Sequence, residues 1–416
     1  MTAHTEAYAK LDAWIDAHFD EQTRFLQELV RVPTDTPPGN NAPHAERLAD
    51  LLKPMGFDAE KFPIPADEVK AYGLESLTNL IVRRNYGAGK TIALNAHGDV
   101  VPPGEGWTKD PYGAEIADGK MYGRATAVSK CDISTFTFAV RALESLGTPL
   151  KGNVELHFTY DEEYGGEKGP GWLLANGHTK PDLMLAAGFS YQVVTAHNGC
   201  LQMEVTVHGK SGHAAVPDTG IDALQAAVQI MNALYAQNTL YKSVSSKVTG
   251  ITHPYLNIGQ IVGGTNTNVI PGRVSFKLDR RMIPEENPTE VEANIRKVIA
   301  DAAAGFTSQT GKHVQLDVQR LLMCHAMKPL PGNKPLVDAL CKHGTEVFGE
   351  PIPAVGTPLY TDVRLYVEKG IPGVIYGAGP RTVAESNAKR ADERIDLQDL
   401  RRATKVVART LLDLLN

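Results

Sequence analysis

Two short stretches hold the side chains best placed for chemistry. His97 and Asp99 stand two apart where the apolar run Thr91-Ile92-Ala93-Leu94 ends, so on an extended chain they project from one face. There an imidazole can bind a cation while a carboxylate orients its ring. Asp161, Glu162 and Glu163 follow a run rich in Val, Leu and Phe (residues 154–159) and precede Tyr164-Gly165-Gly166, the pattern of a strand spilling carboxylates into a loop. Three adjacent carboxylates need cations or bound protons beside them, so metal-assisted or proton-transfer catalysis is the chemistry on offer. The plainer reading is a hydrogen-bonded histidine pair without metal, but the place of His97 at a strand end beside Glu162 favours a site.

These residues need strands to carry them. Apolar positions at helical spacing predict one helix over residues 6–31 and another over 44–55, joined by the Thr36-Pro37-Pro38-Gly39-Asn40 loop. Strands are expected at 58–62, 79–83, 91–95, 154–159 and 183–186, with helices at 130–146 and 171–176. This is α/β with a mostly parallel sheet whose motifs lie at strand carboxy-terminal ends, where such sheets bind ligands. Between 199 and 321 the order changes to β-α-β-β-α-β, a ferredoxin-like unit inserted into the first. A helix at 336–348, a strand at 373–376 and a closing helix at 397–415 then resume the α/β pattern. The expected division is 1–198 and 322–416 for a catalytic domain, with 199–321 as an inserted lid and dimerisation domain.

Composition excludes several classes. At 416 residues the chain is long for one compact core. A formal net charge of -6 gives no basic footprint for nucleic acid or an anionic membrane. No apolar run reaches membrane-spanning length, and the first residues lack a charged-then-apolar signal. The 4 cysteines show no Cys-x-x-Cys spacing, so a reduced, cytoplasmic protein is expected.

The chain resembles the cocatalytic zinc peptidase and amidohydrolase family that includes acetylornithine deacetylase, succinyl-diaminopimelate desuccinylase, aminoacylase-1 and carboxypeptidase G. The resemblance rests on His97-Gly98-Asp99-Val100-Val101-Pro102, the 107–111 loop, Met121-Tyr122-Gly123-Arg124, Asp161-Glu162-Glu163, Gly212-His213-Ala214-Ala215-x-Pro217, Asn268-Val269-Ile270-Pro271 and Arg281-x-x-Pro284. Each is weak alone, and all of them in order are strong. The resemblance implies that His97 is a metal ligand oriented by Asp99, that Glu162 is the general base, and that Glu163 binds the first metal. It further implies that His213 reaches a partner subunit's site to polarise the scissile carbonyl, and that Arg281 and Asn268 grip substrate oxygens. A small carboxylate-bearing substrate and a homodimer formed through the lid follow from it. For Arg281 a mere salt bridge within the lid is the competing reading.

Three ligands that the family pattern calls for are replaced. The metal-bridging aspartate falls at Val128, the Gly-Glu-Pro carboxylate falls in Ala187-Gly188-Phe189-Ser190, and the last histidine, counted back from Asp392-Glu393, falls at Lys389. A divalent ion and an ammonium about 4 Å apart repel by about 8 kcal/mol at an effective dielectric of about 20, so two metals beside a charged Lys389 are not expected. Three alternatives stay open. One divalent ion, zinc or manganese, remains on His97 and Glu163 with a recruit such as Asp132; or Lys389 replaces the metal charge and no metal binds; or the register slips and Glu385 or Asn387 faces the site. Asp132 has a plainer reading as part of a capping box, Ser129-x-x-Asp132. Hydrolysis of an amide or peptide bond in an N-acylamino acid or dipeptide is the expected function. A metal-independent lyase or epimerase using Glu162 and Lys389, and a non-catalytic binding relative, are the alternatives.

Overall fold

The computed structural model describes residues 3–416. The chain forms two compact units, one made of residues up to Thr195 with Pro329–Val355 and Thr361–Asn416, the other of Ala196–Lys328 with Gly356–Tyr360.

The first unit is built on the central strands of an eight-stranded sheet. Thr91–His97 pairs in parallel with Asn153–Thr159 on one side and with Leu183–Ala186 on the other, and Gly373–Ile375 continues the parallel run. Thr78–Asn85 and Ala59–Pro63 extend the sheet antiparallel, so it is mixed, with a parallel centre. The central strands are apolar without alternation because helices cover both faces of such a sheet. Helix Lys130–Ser145 is buried along nearly its whole length against Leu397–Leu415, whose amino terminus is capped by Asp396 accepting the Gln398 N–H at 2.8 Å.

The expected helix over 6–31 is instead two, Ala3–Ala17 and Phe19–Val30. The break falls at His18, whose Nδ1 lies 2.7 Å from the Trp14 carbonyl and whose ring stacks on the Trp14 indole at 3.9 Å. Ring and carbonyl together hold a turn that apolar spacing does not reveal.

In the second unit strands Gly199–His208, Tyr255–Gly263, Arg273–Met282 and Gln315–Cys324 form an antiparallel sheet in which the first strand lies between the last and the third. Helices Ala223–Tyr241 and Pro288–Ala304 complete a ferredoxin-like β-α-β-β-α-β order. Asp222 and Asn287 cap the two helices, each accepting the first free N–H groups. The last strand runs past residue 321 to Cys324 because a bulge between Arg320 and Leu322 lets it continue alongside Gly199–His208.

Candidate active site

Parallel pairing puts His97 opposite Thr159, so the loops after the two strands leave the sheet side by side. The Gly98 N–H donates to the Thr159 carbonyl at 2.8 Å and tightens that exit. A Cβ on Gly98 would lie 2.4 Å from the Tyr160 ring, so only glycine fits this approach. The chain then makes a single turn, Glu162–Tyr164, that presents both glutamates.

Asp99 is fully buried and accepts the backbone N–H groups of Glu162 at 3.2 Å and Glu163 at 3.0 Å. It therefore holds the glutamate turn as well as lying beside His97, whose Nδ1 is 2.9 Å from the Asp99 carbonyl oxygen and 3.4 Å from its carboxylate. On its other side His97 Nε2 lies 3.9 Å from Glu162 Oε2. Burial disfavours charge on His97, but Glu162, Asp99 and Glu163 outweigh it and push the imidazole up to about 10. Burial also pushes the Glu162 carboxyl upward, against the pull of His97 and Lys389.

Lys389 faces this cluster. Its Nζ donates to Glu163 Oε2 at 2.6 Å, and its backbone N–H donates to Glu393 Oε2 at 3.3 Å. Burial opposes its charge, yet Glu163 and Glu162 hold the ammonium above its ordinary range. The slipped register does not occur: Glu385 is exposed, and the Asn387 amide donates to the Ala391 carbonyl.

Asp132 is drawn elsewhere. Its Oδ1 accepts the Ala378 N–H at 2.6 Å, and burial pushes its carboxyl up to about 7. The capping box is not formed either, since Ser129 makes no side-chain cap. Val128 and the 187–190 segment offer no carboxylate, and Ser190 Oγ donates to the Gly379 carbonyl. Among the described residues no group of three or more His, Cys, Asp or Glu side chains is gathered to hold a metal ion. The donors present therefore do not fit a two-metal centre.

In the second unit Gly212–His213 pairs with Val269–Ile270, and the Ala214 N–H donates to the Asn268 carbonyl at 3.0 Å, so His213 and Asn268 are brought together on exposed backbone. Arg281 is not free to grip a ligand in this state: its Nε donates to Asp279 Oδ1 at 2.7 Å and its guanidinium lies over the Tyr360 ring.

Sequence reasoning missed two carboxylates. Asp362 is buried, its Oδ2 has no hydrogen-bond partner among the described residues, and burial together with Glu162 and Asp161 pushes it well above the usual carboxylate range. Glu393 is the second: it pairs with buried Arg124 and accepts the Ala127 and Lys389 N–H groups. Its neighbour Asp392 accepts the Thr108 N–H at 2.9 Å. The adjacent acidic pair was the available signal, and the left-handed backbone of Asp392 at φ 54° lets the two neighbouring carboxylates reach different partners.

Residues 93–413 match peptidase family M20/M25/M40. The chain belongs to this family. Its fold is similar to a metallo-carboxypeptidase of the family from Sulfolobus solfataricus, at 20% identity and TM-score 0.76, over 94% of this chain and 98% of that one. It is also similar to human carnosine dipeptidase 1, at 18% identity and TM-score 0.75, over 98% of each chain. A dinuclear metal-binding M20 peptidase of Bacillus subtilis aligns at 18% identity and TM-score 0.67, over 96% of this chain and 99% of that one. This M20 member is accordingly an amidohydrolase or metallopeptidase-like enzyme with the family's α/β fold and inserted unit. Metal binding occurs in the family. No helix among the described residues is long and apolar enough to cross a membrane.

Proposed function

We propose that this enzyme hydrolyses an amide or peptide bond in a small carboxylate-bearing substrate, an N-acylamino acid or a dipeptide. The observation that carries the reading is the mounting of Glu162. Its backbone is fixed by Asp99, its carboxylate lies 3.9 Å from His97, and its side chain is 12% exposed. A carboxylate so placed takes a proton from water as that water attacks the carbonyl. His213 supplies the oxyanion partner in a partner subunit's site, as the family resemblance implies, while Asn268 and Arg281 engage substrate oxygens once Arg281 exchanges Asp279 for substrate. With the recruit Asp132 bonded to the Ala378 N–H, His97 and Glu163 leave room for at most one divalent ion, zinc or manganese.

A homodimer through the second unit fits its surface. Leu224, Val228 and Tyr235 are exposed along helix Ala223–Tyr241, and Ile261 and Val262 are exposed on the edge strand Tyr255–Gly263. A cytoplasmic location agrees with the four free thiols.

Turnover of a panel of acylamino acids and dipeptides, with Glu162→Gln as control, tests the reading. Unchanged activity in that variant refutes the base assignment. One observation favours a second reading: Lys389 beside Glu163 and Glu162 also suits a metal-independent lyase or epimerase, in which Glu162 abstracts a proton next to a carboxylate. Incorporation of solvent deuterium at the substrate's α-carbon selects that reading, and 18O from water in the released carboxylate selects hydrolysis.

A further inference from the structure

Glu163 is the one family ligand position that keeps its carboxylate and has a cation on it. Its side chain is 9% exposed, and Lys389 Nζ donates to Oε2 at 2.6 Å. The Lys389 side chain is 53% exposed, but its backbone is fixed. Its backbone stands in the left-handed region at φ 61°, and its N–H is held by Glu393, which is itself fixed by Arg124 and by the Ala127 N–H. The ammonium is thus delivered to Glu163 from a buried anchor, and a metal bonded to the same carboxylate would have to sit within a few ångströms of it. The other ligands a metal would need are also occupied. Asp132 Oδ1 is taken by the Ala378 N–H and lies where a Cβ on Gly377 would be, 2.0 Å away. Val128 and Ala187–Ser190 bring no donor of the right kind.

We propose that the Lys389 ammonium takes the place of the divalent ion, and that the enzyme works with this built-in cation and no catalytic metal. Lys389 neutralises Glu163 and places a positive charge beside Glu162, the electrostatic service a metal gives its relatives' sites. An ammonium has three N–H donors, and more than the one given to Glu163 are there for an approaching substrate oxygen. The proposal concerns the site of the hydrolase reading but does not depend on which bond is broken there.

The test is made on the full chain by elemental analysis after dialysis and by zinc and manganese titration calorimetry, with thermal melts alongside. The wild type is expected to retain substoichiometric metal and to show no rise in Tm with either ion. Lys389→Gln, which keeps a polar side chain but removes the charge, is expected to take up zinc at least about tenfold more tightly than the wild type, because the repelling ammonium is gone. A full equivalent of zinc or manganese in the wild type, lost in Glu163→Gln, overturns the proposal. So does equal, measurable zinc affinity in wild type and Lys389→Gln. Failure of the hydrolase reading registers in the turnover panel and leaves these metal readouts unchanged, so the two failures are told apart.

Discussion

Arg124 and Glu393 form an ion pair in which each side chain is only 2% exposed, and the pair ties the loop after Met121–Gly123 to the turn that carries Lys389. Removing one partner leaves an uncompensated buried charge. Glu393→Leu is expected to lose about 3–5 kcal/mol of stability in urea denaturation. Arg124→Met combined with Glu393→Leu is expected to lose clearly less than Glu393→Leu alone. If the double variant is the weaker of the two, the loop contacts rather than the charge pair hold this corner.

Asp99 spends its carboxylate on two backbone N–H groups and on the His97 ring. Asp99→Asn keeps the shape but leaves one acceptor oxygen where two are used, so the Glu162–Tyr164 turn loosens. Turnover is expected to fall by about 10²–10⁴, the range for disturbing a positioned general base, with Tm changing little by comparison. Asparagine at this position with full turnover shows that the turn is held by other contacts.

The central sheet and the glutamate cluster were legible in the sequence because both rest on local order. Leu183–Ala186 is an unbroken apolar run between turn residues, and the two closing acids of the cluster lie next to each other in the chain. What escaped depends on partners distant in sequence. Arg124 and Glu393 are 269 positions apart, and Asp132 abandons its capping box for an N–H 246 positions on. Strands of three residues, such as Glu115–Ala117, Lys120–Tyr122 and Arg394–Asp396, are too short to show a period and exist because they pair with one another. Asp362 gave no signal at all, since a single aspartate after Thr361 is an ordinary loop residue until folding buries it beside Glu162.

Gly166 has φ 75°, and a Cβ there would lie 2.1 Å from Asp362 Oδ1 and 2.8 Å from Leu365. Alanine must therefore adopt a backbone it disfavours and displace a buried carboxylate. Gly166→Ala is expected to cost about 1–3 kcal/mol and to lower turnover as well, because Asp362 shares the electrostatic neighbourhood of Glu162. Denaturation and steady-state rates on the same preparation check both parts. Normal stability in this variant contradicts the crowding.

Glu155, on strand Asn153–Thr159, is buried away from the site, and its Oε2 receives the His157 ring N–H at 2.9 Å and the Thr179 hydroxyl at 2.5 Å, while Arg83 pairs with its other oxygen. Burial alone raises a carboxyl, yet here His157, Thr179 and Arg83 outweigh it and hold Glu155 below its ordinary value. The folded chain therefore binds this proton less readily than the unfolded chain. Its contribution to stability is complete above the unfolded carboxyl range and is lost as pH falls through the folded value. Glu155→Gln is expected to be less stable than the wild type by about 1.5–3 kcal/mol near neutral pH, the range for hydrogen bonds to a charged group. That gap is expected to narrow steadily below about pH 4.5, where the unfolded carboxylate takes up its proton. Urea unfolding of both proteins at several pH values reads the gap directly; one that widens as the solution is acidified has the wrong sign for a depressed carboxyl and removes this account of the His157 pair.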